Sequence, residues 1–203
     1  MRFVISISLT PSPDQFGRLL ALQAAFALVC NDVAHMVQKT RTWNRVALHH
    51  LLYRDLRKRY PAIGSQMICN SIYSVSSVCH LVFQNVQSPL HVHSASDEPL
   101  PLLKFLNNCP VYFDRHTLAL KNGRLSLFTL DGRMRFDLAL TDSAEECFKE
   151  RKLLQTMLLR NSSDKFELAF MFESQVDEQS LGSTVSDKTL IPDFVKVEAP
   201  CEC

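Results

Sequence analysis

The chain lacks any run of about 18 consecutive apolar residues, the length a bilayer-crossing helix needs, so no membrane span is expected. Its opening, MRFVISISLTPSPDQ, lacks both the long apolar core and the small-residue cleavage site of a secretory signal. No internal repeat is evident. Neither a nucleophile elbow nor a Cys/His catalytic signature surrounds the serines and cysteines, so nothing points to nucleophilic catalysis. Seven cysteines, an odd number, sit at helical apolar positions (Cys30, Cys69, Cys79), elsewhere in the chain, or near its end (Cys201, Cys203). Without a secretory signal they are expected to be free thiols in a reducing cytoplasm. Cys201-x-Cys203, His49-His50, His91-x-His93 and His116 lack the paired spacing of a metal site, so neither a metal nor a cofactor is expected.

Net charge is also nearly absent, at +1, but that sum conceals an asymmetry. Between Lys39 and Tyr60 stand seven basic residues, Lys39, Arg41, Arg45, Arg54, Arg57, Lys58 and Arg59, against one acid, Asp55. After Phe172 the acids Glu173, Asp177, Glu178, Asp187, Asp193, Glu198 and Glu202 face only Lys188 and Lys196. A basic body with an acidic tail fits a polyanionic partner. At 203 residues with 46% hydrophobic content, the chain can bury a sizeable core in one domain or two small lobes.

The strongest local signal is residues 116–140, HTLALKNGRLSLFTLDGRMRFDLAL. Asn122-Gly123 and Asp131-Gly132 permit positive φ at tight turns, and they separate three alternating runs. Leu118 and Leu120, then Leu125 and Leu127, then Met134, Phe136 and Leu138 would share one buried face of an antiparallel meander. Phe3, Ile5, Ile7 and Leu9 alternate as an opening strand, and Leu153–Leu159 and Phe166–Phe172 read as two more strands after a short helix at 142–151.

Between the first strand and the meander the pattern is helical. Ser12-Pro13-Asp14-Gln15 combines an N-cap serine, proline at the first helical position and glutamine where a capping box needs it. A long amphipathic helix runs from there to about Lys39. A second covers Arg45–Tyr60, with Val46, Leu48, His49, Leu52 and Leu56 inward. A third follows to about Val86, with Ser65 available as its cap and small residues for close helix approach.

A lone opening strand cannot satisfy its own edges, so it should pair with the later sheet. The expected fold is α+β: a small antiparallel β-barrel, from residues 1–10 and 110–173, interrupted by a three-helix bundle at 11–86. Residues 87–109 read as a linker and 174–203 as a flexible acidic tail.

Several pieces of this succession resemble a known family. They are Thr10-Pro-Ser-Pro-Asp-Gln15 opening a helix, Tyr53-x-x-Leu56-Arg57 leading to Tyr60-Pro61, Ser65-Gln66 opening the next helix, and Leu125-Ser126-Leu127 through Gly132-Arg133. Their order resembles the N-terminal half of TnpB, the RNA-guided nuclease of small insertion sequences related to type V CRISPR effectors, over roughly residues 3–173. The resemblance implies a wedge-like β-barrel interrupted by a helical recognition lobe, together holding guide RNA or the guide–target duplex. It also implies a RuvC-like nuclease soon after Phe172. No Gly-x-Asp-x-Gly strand or pair of CxxC motifs occurs here. Two-metal cleavage needs several convergent carboxylates, so no nuclease activity is expected of these residues alone.

Candidate nucleic-acid contacts are Arg41, Arg45, Arg54, Arg57 and Lys58 for phosphates, with Trp43 and Tyr53 to stack on bases. The bland alternative is a solvated helix face with both aromatics in the core. Lys121, Arg124, Arg133 and Arg135 on the hairpins form a second group, whose alternative is edge charges that keep hairpins soluble. The expected function is a non-catalytic protein holding structured or guide RNA or an RNA–DNA hybrid, with a separate RuvC-like nuclease subunit as an optional partner. A protein–protein adaptor without nucleic-acid contact is the alternative.

Overall fold

The computed structural model describes residues 2–92, 99–121, 123–138, 140–173 and 191–199. The chain is α+β. Strand β1 (Arg2–Ser8) leads through Pro11 to helix α1 (Pro13–Thr40), α2 (Arg45–Arg59) and α3 (Ser65–Cys79), which ends in a wide π-type turn at His80–Gln84. Then come β2 (Leu102–Phe105), β3 (Val111–Phe113), β4 (Leu118–Lys121), β5 (Arg124–Thr129) and β6 (Gly132–Asp137). Helix α4 (Asp142–Glu150), β7 (Leu153–Arg160), β8 (Phe166–Glu173) and β9 (Val195–Glu198) complete it. Two compact units result: described residues of Met1–Leu20 and Pro110–Asp187 in one, of Ala21–Cys109 and Lys188–Cys203 in the other.

In the first unit β1 pairs antiparallel with β8, from Arg2 opposite Glu173 to Ser8 opposite Glu167. The opening strand thus crosses more than a hundred residues of chain to find its partner. The sheet order is β1-β8-β7-β3. Phe166, Leu168, Phe170 and Phe172 of β8 are fully buried. Phe3 stacks on Phe172 at 5.5 Å, Phe16 meets Phe166 edge-on at 5.2 Å, and Phe148 of α4 abuts Phe170 and Phe172. Offset and edge-to-face geometries of this kind add to the burial of the rings.

The meander forms a separate three-stranded sheet, β4-β5-β6. No closed barrel joins the two sheets among the described residues, so the expected barrel is not what the strand pairing gives. A local cause is visible at 114–117. The Asp114 carboxylate accepts from the backbone N–H of His116 and Thr117 and from the Thr117 hydroxyl, folding the chain sharply so that β4 does not prolong the β3 ladder.

The first meander turn follows expectation: Lys121 pairs with Arg124, and Gly123 takes φ +71. A side chain there would crowd the Leu138 carbonyl at 3.1 Å, beside the Leu138 N–H bond to Gly123 O. The second turn is shifted by one residue. Gly132 pairs with Thr129, so Leu130-Asp131 is the central pair and Gly132, at φ +95, opens the strand.

The helix start is built as a reciprocal capping box. Ser12 N–H donates to Gln15 Oε1 at 3.0 Å and Gln15 N–H to Ser12 Oγ at 3.3 Å. In the second unit α1 buries Leu22, Phe26, Ala27, Val29, Cys30, Val33 and Val37. By length and composition α1 passes as a membrane span, yet half of its most apolar stretch is buried inside the protein, as in a core helix. Helix α3 is buried nearly all round, and its serines permit the close approach seen where the Cys30 thiol reaches Ser71 O. Two details differ from expectation: Gly64 rather than Ser65 occupies the α3 cap position, and Val46 of α2 is 63% exposed.

The linker and tail assignments need correction on specific residues. Leu102–Phe105 is strand β2, and it pairs with Val195–Glu198, strand β9, inside the segment read as flexible tail. Leu100, Leu103, Phe105 and Cys109 are buried. Polar side chains of α1 hold this segment: Asn31 Nδ2 donates to Phe105 O (3.0 Å) while Phe105 N–H donates to Asn31 Oδ1 (2.7 Å). Gln23 and Gln38 donate to the carbonyls of Cys109 and Leu100. Strands of four residues carry too little alternation to announce themselves, and the helical amides that anchor them lie about 70 residues away. The acidic residues at 174–190, with Glu202, Cys201, Cys203 and His93, lie outside the described residues.

Candidate nucleic-acid interface

The two groups of basic residues lie in different units and take different forms. In β4–β6, the period of two along a strand separates two faces. Leu118, Leu125, Leu127, Met134 and Phe136 are buried on one. The register defines the other as three cross-strand rungs. Phe128 stands opposite Arg133; Ala119 opposite Ser126 and Ser126 opposite Arg135; Lys121 opposite Arg124 and Arg124 opposite Asp137. Lys121, Arg124, Arg133 and Arg135 are all exposed. Asp137 is the one acid in these three strands, and its 3.6 Å pair with Arg124 is almost wholly solvated, so it neutralises little.

Two of these cations are positioned rather than loose. Arg133 Nη2 donates to His116 O at 2.9 Å and its Nη1 leans on Ser126 O and Oγ at 3.4 Å, which lays the guanidinium across the face. The Arg135 backbone carbonyl accepts from Gln15 Nε2 at 3.2 Å, which pins the β6 edge and leaves the side chain outward. Arg18 is different: Asp14 and Asp131 both lie within 4.0 Å, and it donates to Thr129 Oγ1, so its charge is compensated.

The α2 group is dispersed. Arg45 places its guanidinium 5.2 Å over the Tyr73 ring. Arg57 Nη1 donates to Ile63 O, closing the turn between α2 and α3. Arg59 pairs with Asp32 at 2.5 Å, and Tyr60 donates its hydroxyl to the same carboxylate at 2.7 Å. Burial first, and then the hydrogen bond and charge of Asp32, push the Tyr60 phenol up to about 12. The Asp32 hydrogen bond and its charge likewise hold Arg59 above its ordinary value. Arg54 and Lys58, one turn apart, remain as exposed cations on the outer side of the helix.

The two aromatic candidates have neighbours of their own. Trp43 sits 5.6 Å from the Phe83 ring, and its carbonyl accepts from Ser76 Oγ at 2.7 Å. Tyr53 stacks on His49 at 4.7 Å. Arg41 is half-buried at φ +53, its N–H donating to Val37 O. A groove of about 400 Å³ between α2 and α3 is lined by Arg45, Val46, His49, Gln66, Cys69 and Ile72.

Two features were not singled out in the sequence. Phe128 lies on the charged face of β5, a signal available from the alternation that sends Leu125 and Leu127 inward. Asp32, the acceptor that occupies Arg59 and Tyr60, sits 27 residues away on another helix and leaves no local trace. Among the described residues no group of three His, Cys, Asp or Glu side chains is arranged to hold a metal ion. Burial pushes the Cys79 thiol up to about 12, and burial and the neighbouring Cys109 thiol push Cys30 well up, so these cysteines stay protonated and unreactive. No family model matches this chain, and no curated protein matches it.

Proposed function

We propose that this chain binds nucleic acid without cleaving it, holding structured or guide RNA, or an RNA–DNA hybrid, against the outer face of β4–β6. The observation that carries the reading is the set of Lys121, Arg124, Arg133 and Arg135 on one sheet face with a single solvated acid among them. Such a face neutralises phosphates and releases their counterions, which supplies affinity without reading sequence. Arg54 and Lys58 of α2 add a smaller second set.

The resemblance of residues 3–173 to the guide-holding half of TnpB supports the same reading. Under it, the two sheets of the first unit serve in place of the wedge and the helices as a recognition lobe. A separately encoded RuvC-like subunit is then the natural partner for any cleavage, and the cytoplasm the natural compartment.

The test is binding of RNA transcribed beside the gene, measured across a salt series. With four phosphate contacts, log K should fall with log salt at a slope of about −3 to −4. Binding insensitive to salt would overturn the reading, as would a protein partner that co-purifies after nuclease treatment while RNA fails to bind.

A further inference from the structure

The charged face of β4–β6 carries an aromatic ring that a purely electrostatic surface does not need. Phe128 is half-buried on the solvent side of the sheet, directly across from Arg133, while its neighbours Leu127 and Thr129 point into the core. The next rung along has only small side chains, Ala119 and Ser126, beside Arg135, and the Arg133 guanidinium reaches over to Ser126. The rung beyond carries Lys121 and Arg124. Successive rungs are two residues, or about 7 Å, apart. That spacing is close to the step between phosphates of an extended, unstacked nucleic-acid strand. A ring flanked by cations at that repeat is the combination by which proteins hold single strands: cations track the backbone, and a base stacks on the aromatic face. A duplex fits less well, because its bases are stacked inside and present no free face to Phe128.

Resting on the nucleic-acid reading above, we infer that what the outer face of β4–β6 takes is an unpaired segment of the bound RNA or hybrid, with phosphates along the face past Arg133, Arg135 and Lys121/Arg124 and one base stacked on Phe128. Arg133, held across the face by its bonds to His116 O and Ser126, sets the phosphate next to that base.

The experiment uses the full chain and three probes of equal length: a fluorescein-labelled oligouridylate, a blunt RNA duplex and an abasic strand. The oligouridylate should bind about tenfold more tightly than the other two at equal salt. Phe128→Ala should weaken only the oligouridylate, by about tenfold, the usual worth of one stacked base. Phe128→Tyr should restore it. If Phe128→Ala lowers the thermal midpoint, Phe128→Leu, which keeps the bulk and loses the stack, takes its place with the same expectation. Equal binding of duplex and single strand, with no effect at Phe128, overturns this inference and leaves the basic face intact. Failure of every probe to bind overturns both.

Discussion

The two basic regions differ in what their neighbours have done to them. On α2, nearby groups occupy three of the four arginines: Ile63 O takes Arg57, Asp32 takes Arg59, and the Tyr73 ring lies under Arg45. On β4–β6, Arg133 and Arg124 are engaged too, by His116 O, Ser126 and Asp137, but all four cations stand together on one solvated face with a single weakly coupled acid. The helix is the richer in sequence, yet it is the sheet that gathers its cations on a single face. A helix spreads consecutive residues around its circumference, so part of a dense basic run must meet the core or a neighbour. A strand sends every second residue the same way, so Arg133 and Arg135 are obliged to cooperate.

That difference can be broken or sharpened by substitution. Arg133→Glu with Arg135→Glu should cost the largest amount, roughly a hundredfold in RNA affinity at low salt, by replacing two attractions with two repulsions. Unchanged affinity by fluorescence anisotropy would remove the sheet from the account. Arg54→Ala with Lys58→Ala should cost about fivefold, since the helix contributes fewer contacts. A loss exceeding that of the sheet variant would reverse the comparison.

Arg57→Ala should leave affinity nearly unchanged and reduce stability by about 1 kcal/mol, because the α2–α3 turn loses a charged donor to the Ile63 carbonyl. Urea denaturation measures this, and an effect on binding alone would place Arg57 among the ligand contacts instead. The smallest effect belongs to Tyr60. Its folded value, about 12, lies above the ordinary value of about 10 that an unfolded tyrosine keeps, so folding favours the protonated phenol. The associated stability is intact below about pH 10 and is lost as pH rises toward 12. Thermal midpoints of Tyr60→Phe should fall less over that alkaline window than those of the parent. Parallel curves would show that Tyr60 contributes nothing there.

The sequence was most legible where a local rule governs. Ser12 and Gln15 announce a capping box that forms, and Asn122-Gly123 announces the turn between β4 and β5. That β1 would join the later sheet followed from the demand of an isolated strand for a partner; the partner it takes there is β8. What stayed hidden depended on groups distant in sequence. Strand β2 is held by Asn31 and by β9, and neither has a local signature. The closing of a barrel depends on how two sheets meet, which no local pattern encodes; a turn held by the Asp114 carboxylate stands between β3 and β4. At the candidate site, alternation predicted the outward positions of Arg133 and Arg135, whereas the diversion of Arg57 and Arg59 required the third dimension.

The salt dependence of RNA binding, compared between the parent and a variant with Lys121, Arg124, Arg133 and Arg135 all changed to alanine, addresses the central claim most directly. The account predicts that the slope of log K against log salt becomes shallower by about 3 in the variant. An identical slope in the two proteins would contradict it.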